Sequence, residues 1–236
     1  MDNSQIPFVI GFIIMALASL GLYLHGDKRR EFRHHTQFHA MVPFIAATAY
    51  LGMWLGTGTI TAPDGSTVYL ARYADWAVTT PILLAGLILT GLHEHPRHST
   101  YILPAMVLDF IMVATGLLSA MAENPAERWA WFGWSCAAFA GVFFILWSPV
   151  RRIGENLGGR VEEVYRGNLV FLSVVWLAYP VIAAIGPEGL GIVDTGLENW
   201  VILVLDVTAK VVYGYVATAR FKSVPSEEER SATRAA

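Results

Sequence analysis

Cysteine is almost missing: Cys136 is the only one in 236 residues. That excludes an intrachain disulfide and leaves cysteine little part in any metal site. Charge is scarce too, at 15% Asp, Glu, Lys and Arg, against 55% hydrophobic residues and a mean hydropathy of +0.48. So little charge beside so much apolar surface excludes an ordinary soluble domain and implies a polytopic membrane protein. The N-terminus lacks a basic region followed by a small-residue cleavage site, so the first apolar segment is expected to stay in the chain as a helix. The 11 prolines and 21 glycines suit this class, because membrane helices tolerate both. A lipid bilayer is the expected partner, and no nucleic acid is.

A span needs about 20 mostly apolar residues. Seven such segments are present, at 6–24, 38–55, 70–92, 100–121, 128–147, 167–185 and 197–220. The expected fold is all-α, a seven-transmembrane helix bundle. Its connections are short, so 1–222 form one domain, and the polar stretch 223–236 is expected to be a disordered tail. Between the second and third spans, Pro63, Asp64 and Gly65 predict a β-hairpin turn within 61–69. Basic residues cluster at alternate connections: Lys28, Arg29, Arg30 and Arg33, then Arg97, then Arg151, Arg152, Arg160 and Arg166, and finally Arg220, Lys222, Arg230 and Arg234. The opposite connections hold Asp2, Asp64, Glu123, Glu127, Glu188, Asp194 and Glu198, with Arg128 the one nearby base. This asymmetry predicts an outside N-terminus and a cytoplasmic C-terminus.

Within the spans, a few polar residues stand out. Lys210 lies in the middle of the last span, and Asp206 is one turn earlier on the same face. A primary amine at bilayer depth is expensive and usually marks function. It is either half of a buried ion pair or a covalent anchor, since an amine condenses with an aldehyde to a Schiff base. In the third span Arg72, Asp75, Thr79 and Gly86 lie along nearly one stripe. Arg72 and Asp75, three apart, can interact across one turn. Two aspartates and one arginine around one nitrogen cation would make a nearly neutral cluster. The competing reading is an ion-pair network that staples the third span to the seventh. Trp176, Tyr179 and Pro180 share a face of the sixth span, and Trp76 adjoins Asp75. Flat rings on several helices can sandwich a long conjugated ligand, although rings at helical spacing are more often plain core.

Taken together, Arg72-Tyr73-Ala74-Asp75-Trp76 with Thr79-Thr80-Pro81, Trp176 with Ala178-Tyr179-Pro180, and Asp206 with Lys210 resemble the microbial (type 1) rhodopsins over essentially the whole chain. The resemblance implies all-trans retinal held on Lys210 as a protonated Schiff base. Asp75 would be primary counterion and proton acceptor, Asp206 the second counterion, and Thr79 would hold Asp75 by a hydrogen bond. Tyr50 and Tyr179 match tyrosines that reach the Asp206 position. Trp76 and Trp176 would clamp the polyene, with Thr80, Leu83, Met112, Gly116, Ser135 and Phe139 lining the rest. Asp109 would pair with Thr80 as a structural carboxyl rather than a transport site. Ala183 and Phe132 depart from the family pattern, each replacing a common tryptophan near the expected ring end; Pro180 completes the pocket. Leu83, at the tuning position, resembles green-absorbing members. The resemblance also implies a multi-pass protein of a prokaryotic plasma membrane and a homo-oligomer, trimer or pentamer.

The resemblance extends to the kind of transport. Asp75, Thr79 and Gly86 resemble the DTG-type outward proton pumps. A chloride pump needs the first position uncharged, and the sodium-pump pattern begins with asparagine there. Arg72, Glu188 and Glu198 form a plausible exit cluster for protons. Gly86 stands where many pumps have a carboxylic donor, about 16 Å along the helix from Asp75. His39, eleven residues before Tyr50, is expected level with Gly86 and able to relay a proton near neutral pH. Its bland alternative is a hydrogen bond to a carbonyl or interfacial water. His34, His35, His93, His95 and His98 are read as cytoplasmic surface residues. The main competing function is a sensory rhodopsin that signals through a transducer. A passive channel is disfavoured because no span carries a continuous polar stripe, and a non-retinal transporter would be colourless. The expected class is an ion transporter rather than an enzyme.

Overall fold

In the computed structural model, residues 5–29, 33–63, 65–92 and 99–224 are described. The helices are α1 (Ile6–His25), α2 (Arg33–Trp54), α3 (Leu70–Gly91), α4 (Ser99–Ala120), α5 (Pro125–Ile145), α6 (Arg151–Leu157), α7 (Gly159–Ile185), α8 (Thr195–Asp206) and α9 (Tyr213–Lys222). A wide turn, Leu146–Val150, joins α5 to α6, and another, Val207–Val212, joins α8 to α9. Both keep the helix axis going, so the nine pieces make seven rods. Among the described residues, six rods are long and apolar enough to cross a membrane; α2, whose first turns carry His34, His35, Thr36, Gln37 and His39, is the exception.

Between α2 and α3 lies the expected hairpin, β1 (Ile60–Thr61) against β2 (Thr67–Val68), antiparallel with Ile60 opposite Val68. Gly65 takes φ +86, a left-handed conformation that glycine adopts without strain. Asp64 falls outside the described residues, as do Asp2, Arg30, His93, His95, Arg97, His98, Arg230 and Arg234.

Two rod starts come from local capping. The Asn124 side chain accepts from the Glu127 backbone N–H at 2.9 Å, with Pro125 in the first helical turn. Asp194 accepts from the Leu197 N–H at 3.0 Å. The sequence places the fifth span's start at 128 and the seventh's at 197, and these caps explain why each helix begins two or three residues sooner. The connection expected between the fifth and sixth spans is largely helical: α6 and the start of α7 carry Arg151, Arg152, Arg160 and Arg166, and the chain turns at Gly158 and Gly159, both at positive φ. In the first wide turn Pro149 lacks a backbone donor, and the buried Tyr165 hydroxyl donates to the Leu146 carbonyl at 2.6 Å.

The core on the C-terminal side of the bundle is apolar: Leu84, Leu87, Leu169, Leu172, Tyr213 and Ala217 are fully buried there. The α1–α2 connection is tied to the end of α9. Arg29 pairs with Asp27 at 2.6 Å and donates to the carbonyls of Val224 (2.8 Å) and Phe221 (3.1 Å). Lys222 donates to the His25 carbonyl at 2.6 Å. Val224, which the sequence reading puts in the polar tail from Ser223 onward, is buried by this strap. His35 is likewise buried rather than a surface residue, its ring stacked on Phe221 at 4.0 Å.

Candidate functional site

Lys210 sits in the wide turn between α8 and α9 and is 2% exposed. Wide turns inside helices re-aim side chains and recur at functional sites. Its amine is ion-paired to Asp75 Oδ2 and lies 3.2 Å from Asp206 Oδ1. Three further donors reach Asp206: Tyr179 to Oδ1 at 2.8 Å, Trp76 Nε1 to Oδ1 at 3.3 Å, and Tyr50 to Oδ2 at 2.9 Å. Both tyrosine expectations therefore hold as geometry. Asp75 is held differently. Its Oδ1 is buried without a hydrogen-bond partner.

Thr79 is hydrogen-bonded to Asp75, as expected, through the main chain. Its hydroxyl donates to the Asp75 backbone carbonyl at 2.8 Å, four residues back. It thus steadies the helix beneath Asp75. Arg72 departs from expectation. It makes no pair with Asp75, one turn away; its Nη2 donates to Asn199 Oδ1 at 2.7 Å, and its Nη1 lies 3.8 Å from Glu198 Oε2. The guanidinium lies over the Tyr69 ring at 4.9 Å, a cation–π contact. Glu188 accepts from the Tyr73 hydroxyl at 2.7 Å. The expected exit cluster is therefore assembled in two pieces on the hairpin side: Arg72 with Glu198, and Tyr73 with Glu188.

A cavity runs from the Lys210 amine between α3, α4, α5 and α7. Helix α3 lines it with Trp76, Thr80 and Leu83, α4 with Asp109, Met112 and Gly116, and α5 with Phe132, Ser135 and Phe139. Trp176, Tyr179, Pro180 and Ala183 of α7 close it. Every residue expected in the pocket lines this one space. Thr80 donates to Asp109 Oδ2 at 2.5 Å and ties α3 to α4, and Ser135 donates to the Met112 carbonyl at 2.8 Å. The Trp76 and Tyr179 rings meet edge to face at 5.4 Å. The sequence reading missed Cys136, Ile202 and Ala209 in the lining.

On the C-terminal side His39 is buried, and its Nδ1 lies 3.1 Å from the Thr218 hydroxyl. It does not fill the space at Gly86. A Cβ on Gly86 would meet the Phe38 ring at 3.7 Å, so the residue before His39 occupies that level. Adjacent residues on a helix point about 100° apart, and the aromatic faces α3 while the imidazole faces α9. Thr218 was not foreseen, and neither was Asn199. Asn199 has a visible signal: it lies seven residues before Asp206, on the same helical stripe.

Residues 2–223 match the family model described as bacteriorhodopsin-like protein. Among curated relatives, archaerhodopsin-2 of Halobacterium sp. (strain aus-2) is 33% identical over 228 residues, 93% of this chain and 85% of that protein. Bacteriorhodopsin of Halobacterium salinarum is 37% identical over 216 residues, 88% of this chain and 79% of that protein. Among solved structures, the thermophilic rhodopsin from Rubrobacter xylanophilus superposes with a TM-score of 0.87 at 35% identity, covering 93% of this chain and 96% of that one. The light-driven proton pump from Coccomyxa subellipsoidea gives 0.84 at 30% identity, covering 93% and 97%.

Proposed function

The chain belongs to the bacteriorhodopsin-like family of microbial rhodopsins, and on that footing we propose that it is a light-driven outward proton pump using all-trans retinal bound to Lys210. The residues present fit that group. A long cavity with mostly apolar, aromatic walls ends at a buried amine, and the orphaned Asp75 Oδ1 lies beside that amine. When bound, retinal would supply a light-absorbing polyene whose isomerisation changes how tightly the lysine nitrogen holds its proton. Everything else is the protein's own work.

Asp75 is the acceptor. Its carboxylate touches the Lys210 nitrogen through Oδ2 and keeps Oδ1 unpartnered, so a lone pair is available to take a proton. Asp206, held by Tyr50, Tyr179 and Trp76, has both oxygens occupied and serves as the fixed negative charge of the site. Release runs toward the hairpin side, where Arg72 and Glu198, and then Glu188 with Tyr73, lie on the edge of the same cavity. With the N-terminus outside, as the charge asymmetry of the loops implies, this direction is outward.

Reprotonation must cross the opposite half. There the triad Asp75, Thr79, Gly86 supplies no carboxylate donor on α3, and the Leu87, Leu172 and Tyr213 core seals the dark state. The His39–Thr218 pair is a titratable unit that bridges α2 to α9 beyond this seal. We assign it the relay role, with the opening of the apolar core as the gate. The similarity to the light-driven proton pumps from Coccomyxa subellipsoidea and Leptosphaeria maculans supports transport over sensing.

The observation that carries this reading is the buried Lys210 amine at the cavity's inner end, between a saturated carboxylate and an unsaturated one. The test is the purified protein given all-trans retinal: a visible absorption band forms, and it is absent from Lys210→Ala. A band that persists without that amine contradicts the proposal.

A further inference from the structure

Arg72 has an acid one turn away on its own helix, yet it turns away from it. Its guanidinium instead engages Asn199, which is 1% exposed on α8. Arginine has no acceptor, so the amide must present its oxygen to Arg72 and its NH₂ elsewhere. That NH₂ donates to the Tyr69 hydroxyl at 3.2 Å, and the same Tyr69 ring lies beneath the guanidinium at 4.9 Å. Asn199 is thereby fixed at both ends, and Arg72 is fixed by Asn199, by the ring and by Glu198 at 3.8 Å. The Glu198 contact is long for a charge-assisted hydrogen bond, whereas the Asn199 contact at 2.7 Å is short and direct. Arg72 Nε remains buried and unpartnered, so the outward pose is not the one that satisfies every donor.

We propose that Asn199 is a positioning residue that holds the Arg72 guanidinium on the hairpin side, away from Asp75. The proposal rests on the pump reading only in taking Asp75 as the acceptor. A unit positive charge moved several ångströms toward Asp75 would reshape the field at the Lys210 nitrogen. Without the amide, the competing partner is the Asp75 carboxylate, three residues along the same helix and carrying an oxygen with no partner. Asn199 therefore decides where the cation rests in the dark. Around Arg72 stand Tyr69 from the segment before α3 and Glu198 and Asn199 from α8, with Tyr50 of α2 and Tyr73 of α3 within range of its charge and Asp75 one turn along α3.

The experiment uses full-length protein reconstituted with retinal. Asn199→Leu, Tyr69→Phe, Arg72→Gln and the double variant Asn199→Leu with Arg72→Gln are compared by dark absorption maximum and acid titration of the visible band. In Asn199→Leu the maximum shifts, and the acid midpoint is displaced by about one pH unit, the size expected when a charge changes place at an effective dielectric of about 20. Tyr69→Phe keeps the ring and removes only the hydroxyl that orients Asn199, and it shifts both readouts the same way by less. In the Arg72→Gln background, Asn199→Leu changes neither. A merely structural asparagine would lower thermal stability in both backgrounds while leaving the titration in place, and that result overturns the proposal, as does an equal displacement with and without Arg72. Should Asn199→Leu fail to accumulate, an unchanged titration in Tyr69→Phe overturns it as well. A wild-type protein without a visible band would instead strike the reading of the chromophore, so the two failures are distinguishable.

Discussion

Asp75 and Asp206 flank one amine and are held in opposite ways. Asp206 receives hydrogen bonds from Tyr50, Tyr179 and Trp76 in addition to Lys210, while Asp75 Oδ1 has no partner. One carboxylate is pinned and the other has room for a proton.

Asp75→Asn removes the acceptor and leaves the cavity intact. The protein keeps a visible band with a shifted maximum, and proton transfer after a flash slows at least about 100-fold, the usual weight of a positioned base. Transient absorption with a pH dye in vesicles measures both.

Tyr50→Phe leaves Asp206 Oδ2 buried without its donor and should destabilise the protein by about 1–3 kcal/mol. Tyr179→Phe costs less, because Oδ1 keeps Trp76 and Lys210. Thermal bleaching of the visible band compares the two.

His39→Ala should slow recovery of the dark state, and added azide, a small diffusible proton carrier, should speed it again. Thr218→Val retains the imidazole and removes its partner, so it slows recovery by less. Recovery kinetics that do not change in either variant take the pair out of the mechanism.

The strap at the start of α2 has a pH signature. Burial works to raise the Asp27 carboxyl, but the hydrogen bonds and charge of Arg29 outweigh it and hold the group below the ordinary carboxylate range. A carboxylate lowered in the folded state stabilises at neutral pH, and that contribution is lost as pH falls through its folded value. Asp27→Asn should therefore be less stable than the parent at pH 7 by about 1 kcal/mol, and the gap should close in acid. Thermal bleaching against pH checks the sign.

Much of this is legible in the sequence alone. The spans are long apolar runs, and the pocket residues follow from the resemblance to the microbial rhodopsins carried by the motifs of the third, sixth and seventh spans; every one expected lines the cavity. What periodicity does not carry is where a flexible polar side chain turns. Arg72 reaches Asn199 rather than Asp75, and His39 faces α9 while Phe38 covers Gly86. Each is a choice between partners of similar sequence distance, settled by neighbouring helices. The helical extension through Arg151–Leu157 was hidden for another reason: it carries Arg151, Arg152 and Glu155, so hydropathy ends the span where the helix does not end.

The most direct measurement is the pH of an unbuffered suspension of cells that make the protein with retinal supplied. Illumination should acidify the medium, and a protonophore or the Asp75→Asn substitution should abolish the change. A coloured, light-responsive protein that leaves the external pH unmoved, or raises it, contradicts outward pumping.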